Sequence, residues 1–434
     1  MTLVKKRRVT GFAPEEISAR INEFVVEQHA DDAAFLWTIR DQAVRAPNFS
    51  LKDLIRWDRR VEAHLDGLRV AGAFGWQLCA RAMAREEPGE VFAASVLALN
   101  AEDSARIHEV LEVGAAPELQ RGLISALGWL PFPEVEPRLA EFLRSPEPAV
   151  RRVGIAAHAV HRHDPGASLE AALSDADPRL RVRALEAVGE LGRADLLGTV
   201  QRSISDPEER VRFSAAWSAT RLGDRSASLS ALRGIASGST EFAEPAMSMA
   251  LRVMPLNESA GQYREMRADP QRQRWAVRAA GIVGDPGLVE DLIAFMEVEA
   301  LARVAGESFS MITGVDLAYH DLEGDRPEEL SAGPNESPED ENVETDPDER
   351  LPWPDPLAVK KWWDRHRADF RAGRRFLKGR EHSPGSLRET LIDGNQRQRA
   401  AAGLELALLN PSRPLFEVRA RGDDQFRRLE AATS

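Results

Sequence analysis

The chain has 434 residues, a length that ordinarily divides into two to four domains unless the units repeat. The composition, with 43% hydrophobic residues and two Tyr, favours helix over sheet, and the single cysteine excludes an intramolecular disulfide and favours a reducing compartment. Residues 321–350 carry thirteen Asp/Glu against two Arg, −11 of the net charge of −13, so an anionic partner of the nearly neutral remainder is not excluded.

The first part of the chain predicts a tail and then a helical cap. Residues 1–11 form a basic tail, predicted to be flexible, and no apolar run follows it as a signal peptide would require. Residues 12–116 predict an N-terminal helical cap, because Pro14 before two Glu is typical of a helix start and Ser50 with Asp53 of a capping box. No apolar run is long enough to span a membrane, so we expect a soluble, cytoplasmic protein.

Residues 117–312 predict a repeat array. The prolines at 148, 178, 207 and 270 are separated by 30, 29 and 63 residues, the last interval being two units. Asp before Pro caps a first helix, a Leu-Gly-Asp type of ending terminates it, and an apolar pattern at helical spacing follows as a second helix. This pattern predicts an all-α fold, an α-solenoid of helix pairs. It resembles the short HEAT repeats of phycobilin-lyase-like proteins.

The pattern changes after the repeats. Residues 313–356 are acidic and proline-rich with almost no apolar content, which predicts a disordered insert. Asp355-Pro356 then starts a helix again, so residues 357–434 predict a C-terminal helical unit that closes the array.

The start of that unit is the most unusual stretch chemically. Residues 357–380 carry nine Lys/Arg against two Asp, with Trp and Phe interleaved, a pattern suited to binding an anionic partner. Three interpretations stay open: pairing with the acidic insert, an acidic protein partner, or nucleic acid. The predicted partner-binding residues are Lys360, Lys361, Trp362, Arg365, Arg367, Arg371, Arg374 and Arg375.

Beyond the repeats, the chain resembles a proteobacterial family of HEAT-repeat proteins of uncharacterised function. The resemblance covers nearly the whole chain and is carried by five segments: 29–37, 58–72, 362–363, 373–379 and 397–407. It implies architecture rather than a reaction. Some members are expected to be encoded near type VI secretion genes, which implies an accessory role there as an effector, immunity or loading partner. His64, Asp66 and Gly67 belong to the family motif without an implied role.

Candidate catalytic and metal sites are weak. His64-Leu65-Asp66-Gly67 is typical of a helix ending in an Asp-Gly turn, although a ligand-binding role for His64 and Asp66 stays an alternative. His158, His161 and His163 lie near one helix end, but no Cys or third ligand accompanies them. We therefore predict no catalytic residue, no metal and no cofactor.

Together these patterns predict a non-enzymatic scaffold or adaptor that binds another protein, with the second-helix face of the repeats as docking surface. The alternative is a nucleic-acid-binding protein similar to the helical-repeat DNA glycosylases. The repeat arginines, among them Arg151, Arg181 and Arg212, lend it support, although hydrogen bonding between repeats explains their position more simply.

Overall fold

A computed structural model describes residues 21–327 and 346–431. Apart from one two-stranded hairpin, the secondary structure of these residues is helical, which confirms the predicted all-α class. The contacts within the chain separate two compact units. Among the described residues, the first unit comprises 21–40 and 57–135, and the second comprises 41–56 and 136–431. These divisions differ from the boundary predicted at residue 116.

The first unit is built on a central apolar helix. Its helices, with their full bounds, are α1 (Glu23–Ala43), α2 (Leu51–Ala71), α3 (Ala73–Ala82), α4 (Pro88–Asn100), α5 (Ser104–Gly114) and α6 (Gln120–Trp129). Helix α4 buries Gly89 and every residue from Val91 to Leu99. Its Phe92 stacks on Trp37 at 5.2 Å between ring centroids and meets the Trp129 ring edge-on at 5.3 Å. A helix that is apolar on all sides has to lie in a core, and here it does.

A glycine sets the distance between α4 and α6. A Cβ atom built on Gly122 would lie 2.1 Å from the Pro88 carbonyl oxygen, so the helices approach too closely for any side chain. Gly122→Ala should therefore lower the free energy of unfolding by about 1–3 kcal/mol through overpacking. Gly261→Ala is the control, because that helical glycine has open space around it and alanine should stabilise by up to about 1 kcal/mol. Urea unfolding measures both; equal effects would contradict the packing argument.

The second unit contains the repeats as stacked helix pairs. Helix α7 (Phe132–Leu143) precedes them. The first helices are α8 (Pro148–His161), α10 (Pro178–Leu191), α12 (Glu209–Arg221), α14 (Ala243–Val253), α16 (Gln273–Val283) and α18 (Glu299–Thr313). The second helices are α9 (Ala167–Ala172), α11 (Leu197–Arg202), α13 (Ala227–Ala236), α15 (Leu256–Ala268) and α17 (Val289–Phe295). Successive first helices pack on one another, which is the predicted solenoid arrangement.

The predicted caps explain where these helices begin and end. The Asp177 side chain accepts a hydrogen bond from the Leu180 amide at 2.8 Å, and Pro178 occupies the first helical position. At the other end Gly192 adopts φ 72°, the left-handed conformation that glycine reaches without strain. Gly284 ends α16 in the same way, with φ 70°. Local signals in each repeat therefore define its first helix.

The segments on both sides of the undescribed residues 328–345 are ordered, whereas the sequence predicted disorder throughout 313–356. Leu322 and Leu351 are buried, and the Asp355 amide donates to the Leu322 carbonyl at 2.8 Å. Asp346 and Asp348 form ion pairs at 2.7 Å with Arg303 and Arg274 of the repeats. The acidic composition of this stretch did not indicate that a few of its apolar residues are buried and that some of its acids form ion pairs. The central part of the predicted insert lies outside the described residues.

The C-terminal part contains helices α19 (Pro356–His366), α20 (Pro384–Asp393), α21 (Gln396–Leu409) and α22 (Gly422–Ala431), with a hairpin of β1 (Phe376–Leu377) and β2 (Arg380–Glu381). The sequence predicted neither the hairpin nor α22. The loop before α2 packs on these helices: the Gln396 amide donates to the Phe49 carbonyl at 2.8 Å, and Leu51 joins an apolar cluster with Leu391 and Leu429. Residues separated by most of the chain therefore share one core.

The C-terminal part also contacts the ends of the first helices. The Phe376 amide donates to the Gly284 carbonyl at 2.8 Å, and the Leu415 amide donates to the Glu190 carbonyl at 2.8 Å. Arg221, which has no solvent exposure, donates to the carbonyls of Pro411 and Arg413. The glycine turns that end the repeat helices thus also receive the returning chain, because no side chain blocks its approach.

Candidate interaction surfaces

The repeat arginines are occupied within the array. Arg151, Arg181 and Arg212 each donate, at 2.7–3.1 Å, to the two carbonyls five and six residues before them. Arg151 also pairs with Asp175 of the next unit at 2.7 Å, and Arg181 approaches Asp206 at 3.6 Å. These contacts are the inter-repeat hydrogen bonding that the sequence favoured over nucleic-acid binding.

Three of the predicted partner-binding residues are half-buried and contact the rest of the chain. Lys360 lies 2.5 Å from Asp364 and 3.7 Å from Glu290. The Trp362 ring stacks on His366 at 4.2 Å and meets Phe309 of α18 edge-on at 5.7 Å. Trp362 is half-buried and anchors α19 on the repeats. Packing within the chain therefore explains much of the aromatic pattern of residues 357–380.

Arg375 is the third of them. Its guanidinium donates to the carbonyls of Leu251 and Met254 at 2.8 and 3.0 Å, and to the Val283 carbonyl at 3.3 Å. These carbonyls belong to the ends of α14 and α16, which lack helical partners of their own. Burial lowers the pKa of Arg375 from its ordinary value. Arg375 therefore caps two repeat helices.

The remaining five predicted residues form what we call the basic surface: Lys361, Arg365, Arg367, Arg371 and Arg374. All five are exposed, and Arg374 lies 3.7 Å from Glu381. Among the described residues, the other four have no acidic partner. Two of the described acids of the insert, Asp346 and Asp348, pair with the repeats instead. Within the described part of the chain, the five side chains of the basic surface are therefore exposed to solvent.

A cavity of about 820 Å³ lies elsewhere in the second unit. Its wall on the repeat side comes from the first helices, not from the second-helix face considered from sequence. Helix α21 and residues 415–419 line the opposite wall. Arg397 pairs with Glu307 at 2.5 Å on this lining, and Arg278 pairs with Glu244. The apolar lining residues include Trp217, Ile282, Met311, Leu404 and Phe416. The cavity is amphipathic and its charges are largely paired.

The family-motif residues lie in the first unit. Asp66 is exposed and pairs with Arg69 at 2.6 Å on α2. The His64 Nδ1 atom lies 3.1 Å from Nδ1 of His29 on α1. Gly67 faces the same ring, since a Cβ there would lie 2.5 Å from His29 Cδ2. The sequence did not single out His29 as a contact of His64, because nothing local relates residues on separate helices.

The structure reveals no alternative metal centre within the described residues, where no group of three or more His, Cys, Asp or Glu is arranged to hold an ion. His158 is buried and its Nδ1 lies 2.9 Å from the Gly154 carbonyl oxygen, a helical contact. Burial lowers its pKa from the ordinary value. Cys79 is buried as well, and burial raises the pKa of its thiol to about 12, which disfavours the nucleophilic thiolate.

None of the helices in the described part is both long and apolar enough to cross a bilayer. Comparison with curated proteins finds no match to the chain. The family model of HEAT repeats matches residues 166–251, which span α9 to most of α14. With the stacked helix pairs around them, this match supports HEAT-type repeats in residues 166–251.

Proposed function

We propose that the chain is a protein-interaction scaffold that binds an acidic protein partner through the basic surface. The observation that carries this proposal is the set of four exposed cations, Lys361, Arg365, Arg367 and Arg371, that have no acidic partner among the described residues. Exposed cations attract and orient a partner of opposite charge.

The position of the surface supports the same function. Lys361 and Arg365 lie on α19, and Arg367 and Arg371 follow it closely. Val359 and Trp363 of this helix are buried against the repeats, so the cations lie on a fixed support. A surface held in place loses less conformational entropy when a partner binds than a flexible tail would. The repeats provide that support, and their own arginines form hydrogen bonds within the array.

Replacing the four cations by Glu tests the proposal. The variant combines Lys361→Glu, Arg365→Glu, Arg367→Glu and Arg371→Glu. We expect the yield of a stoichiometric protein captured from native cells, measured by quantitative mass spectrometry, to fall about tenfold or more. Binding of the unchanged chain should also weaken as salt is raised, because exposed charges are screened.

A matched control separates a specific surface from net charge. Arg144, Arg179, Arg233 and Arg264 are exposed arginines scattered over the second unit, and replacing all four by Glu changes the net charge equally. This control should retain the partner. An equal loss of the captured protein in both variants, or unchanged capture by the basic-surface variant, would contradict the proposal.

The identity of the partner is a finer prediction. A component of type VI secretion follows from the family resemblance, as an effector, immunity or loading partner. Nucleic acid stays the alternative class, and gel mobility of a DNA duplex at low salt separates the two. A duplex that shifts with the unchanged chain but not with the Glu variant would favour nucleic acid over protein.

A further inference from the structure

Two histidines face each other across the first unit. His29 on α1 and His64 on α2 approach with 3.1 Å between their Nδ1 atoms, and their rings are inclined by 71°. Both side chains are half-buried. The fold makes room for them at Gly67, where any side chain would occupy the position of the His29 ring. This contact lies far from the basic surface in sequence and plays no part in the proposed function.

A hydrogen bond between two Nδ1 atoms needs one proton between them. A neutral imidazole has one donor and one acceptor nitrogen, so a neutral pair satisfies the contact when one ring carries its proton on Nδ1 and the other on Nε2. A singly protonated pair satisfies it as well, with the imidazolium donating to the neutral ring. A doubly protonated pair has two Nδ1–H groups directed at each other and two like charges, so the contact is lost.

The surroundings define the electrostatics of the pair. Asp32 on α1 lies 3.6 Å from His64 Nδ1, and Arg60 on α2 also acts on His64. Burial lowers the pKa of His64, and His29 and Arg60 lower it further, while Asp32 opposes them. Because the folded-state pKa lies below the unfolded value, the stabilisation is present above about pH 6.5 and is lost as pH falls through the folded-state pKa.

We propose that the His29–His64 contact is a pH-responsive latch between α1 and α2, closed while the pair holds at most one extra proton and opened by the second. Opening loosens α1 from α2 within the first unit. Asp32, 3.6 Å from His64 Nδ1, partly offsets the positive charge that protonation places on the pair.

Hydrogen–deuterium exchange of residues 23–40 at pH 7.5 and 5.0 tests the latch, with labelling times scaled to the intrinsic pH dependence and α4 as internal reference. In the unchanged chain, exchange of α1 relative to α4 should rise about tenfold at pH 5.0, because the doubly protonated pair no longer holds α1 to α2. His64→Gln keeps a polar side chain that does not titrate, so the exchange ratio of this variant should change less than about threefold between the two pH values.

His108→Gln is the matched control, because His108 lies in the same unit but is 74% exposed beside Glu112. It should retain the response of the unchanged chain. A full response in His64→Gln, or a response abolished by His108→Gln, overturns the latch. His29→Gln serves as a second variant if His64→Gln fails to fold, and it should also suppress the response.

Discussion

Arg399→Leu should lower the free energy of unfolding by about 3 kcal/mol or more, because it leaves several buried acceptors without a donor. Arg399 has no solvent exposure and donates to the Leu391 carbonyl at 2.7 Å, to the Gln425 side chain at 2.5 Å, and to the Gln396 side chain. Burial lowers its pKa to about 10, so the guanidinium stays charged at neutral pH. The network joins α20, α21 and α22.

Urea unfolding followed by far-UV circular dichroism measures this loss, with Arg388→Leu as control. Arg388 lies on α20 and is exposed, so the same substitution there should change the free energy of unfolding by no more than about 0.5 kcal/mol. If the two variants unfolded at the same urea concentration, the buried network would not stabilise the C-terminal helices.

Arg375→Ala should cost about 2–3 kcal/mol in the free energy of unfolding, because charge-assisted hydrogen bonds to helix-end carbonyls are lost. Arg375 donates to carbonyls of Leu251, Met254 and Val283, at the ends of two repeat helices. Arg371→Ala, four residues earlier on the basic surface, should leave stability unchanged within about 0.5 kcal/mol.

The same two variants separate capping from binding. Arg371→Ala should reduce capture of the partner while unfolding normally. Arg375→Ala, assayed at a temperature where it is folded, should retain capture. The reverse pattern, with Arg375→Ala normal in stability and deficient in capture, would assign Arg375 to the partner-binding surface instead of the helix ends.

The basic segment, residues 357–380, shows which of its properties the sequence pattern predicts and which depend on packing. Nine cations in 357–380 predicted a binding stretch, yet Trp362 packs on Phe309 and Arg375 caps α14 and α16. Composition records charge without recording which side chains meet carbonyls from distant helices. Only the packing of α19 and the hairpin therefore distinguishes the exposed cations of this segment from the residues that stabilise the fold.

The insert and the cavity also have features that depend on tertiary packing and that the sequence pattern did not predict. Leu322 and Leu351 pack as buried anchors although their neighbours are acidic and proline-rich. The cavity lies on the first-helix layer, while the apolar second-helix pattern had directed attention to the other face. Periodicity predicts which face of one helix is apolar, but the returning C-terminal chain decides which surface remains open.

The amino-acid sequence by itself determined the helical class, the repeat period and the ends of the repeat helices. These depend on contacts between residues three to five positions apart, such as Asp177 with Leu180 and the turn at Gly192. The tertiary structure alone decided the His29–His64 contact and the packing of Phe49 on Gln396. Such pairs bring together distant parts of the chain, and their geometry follows from how whole helices pack rather than from any local pattern.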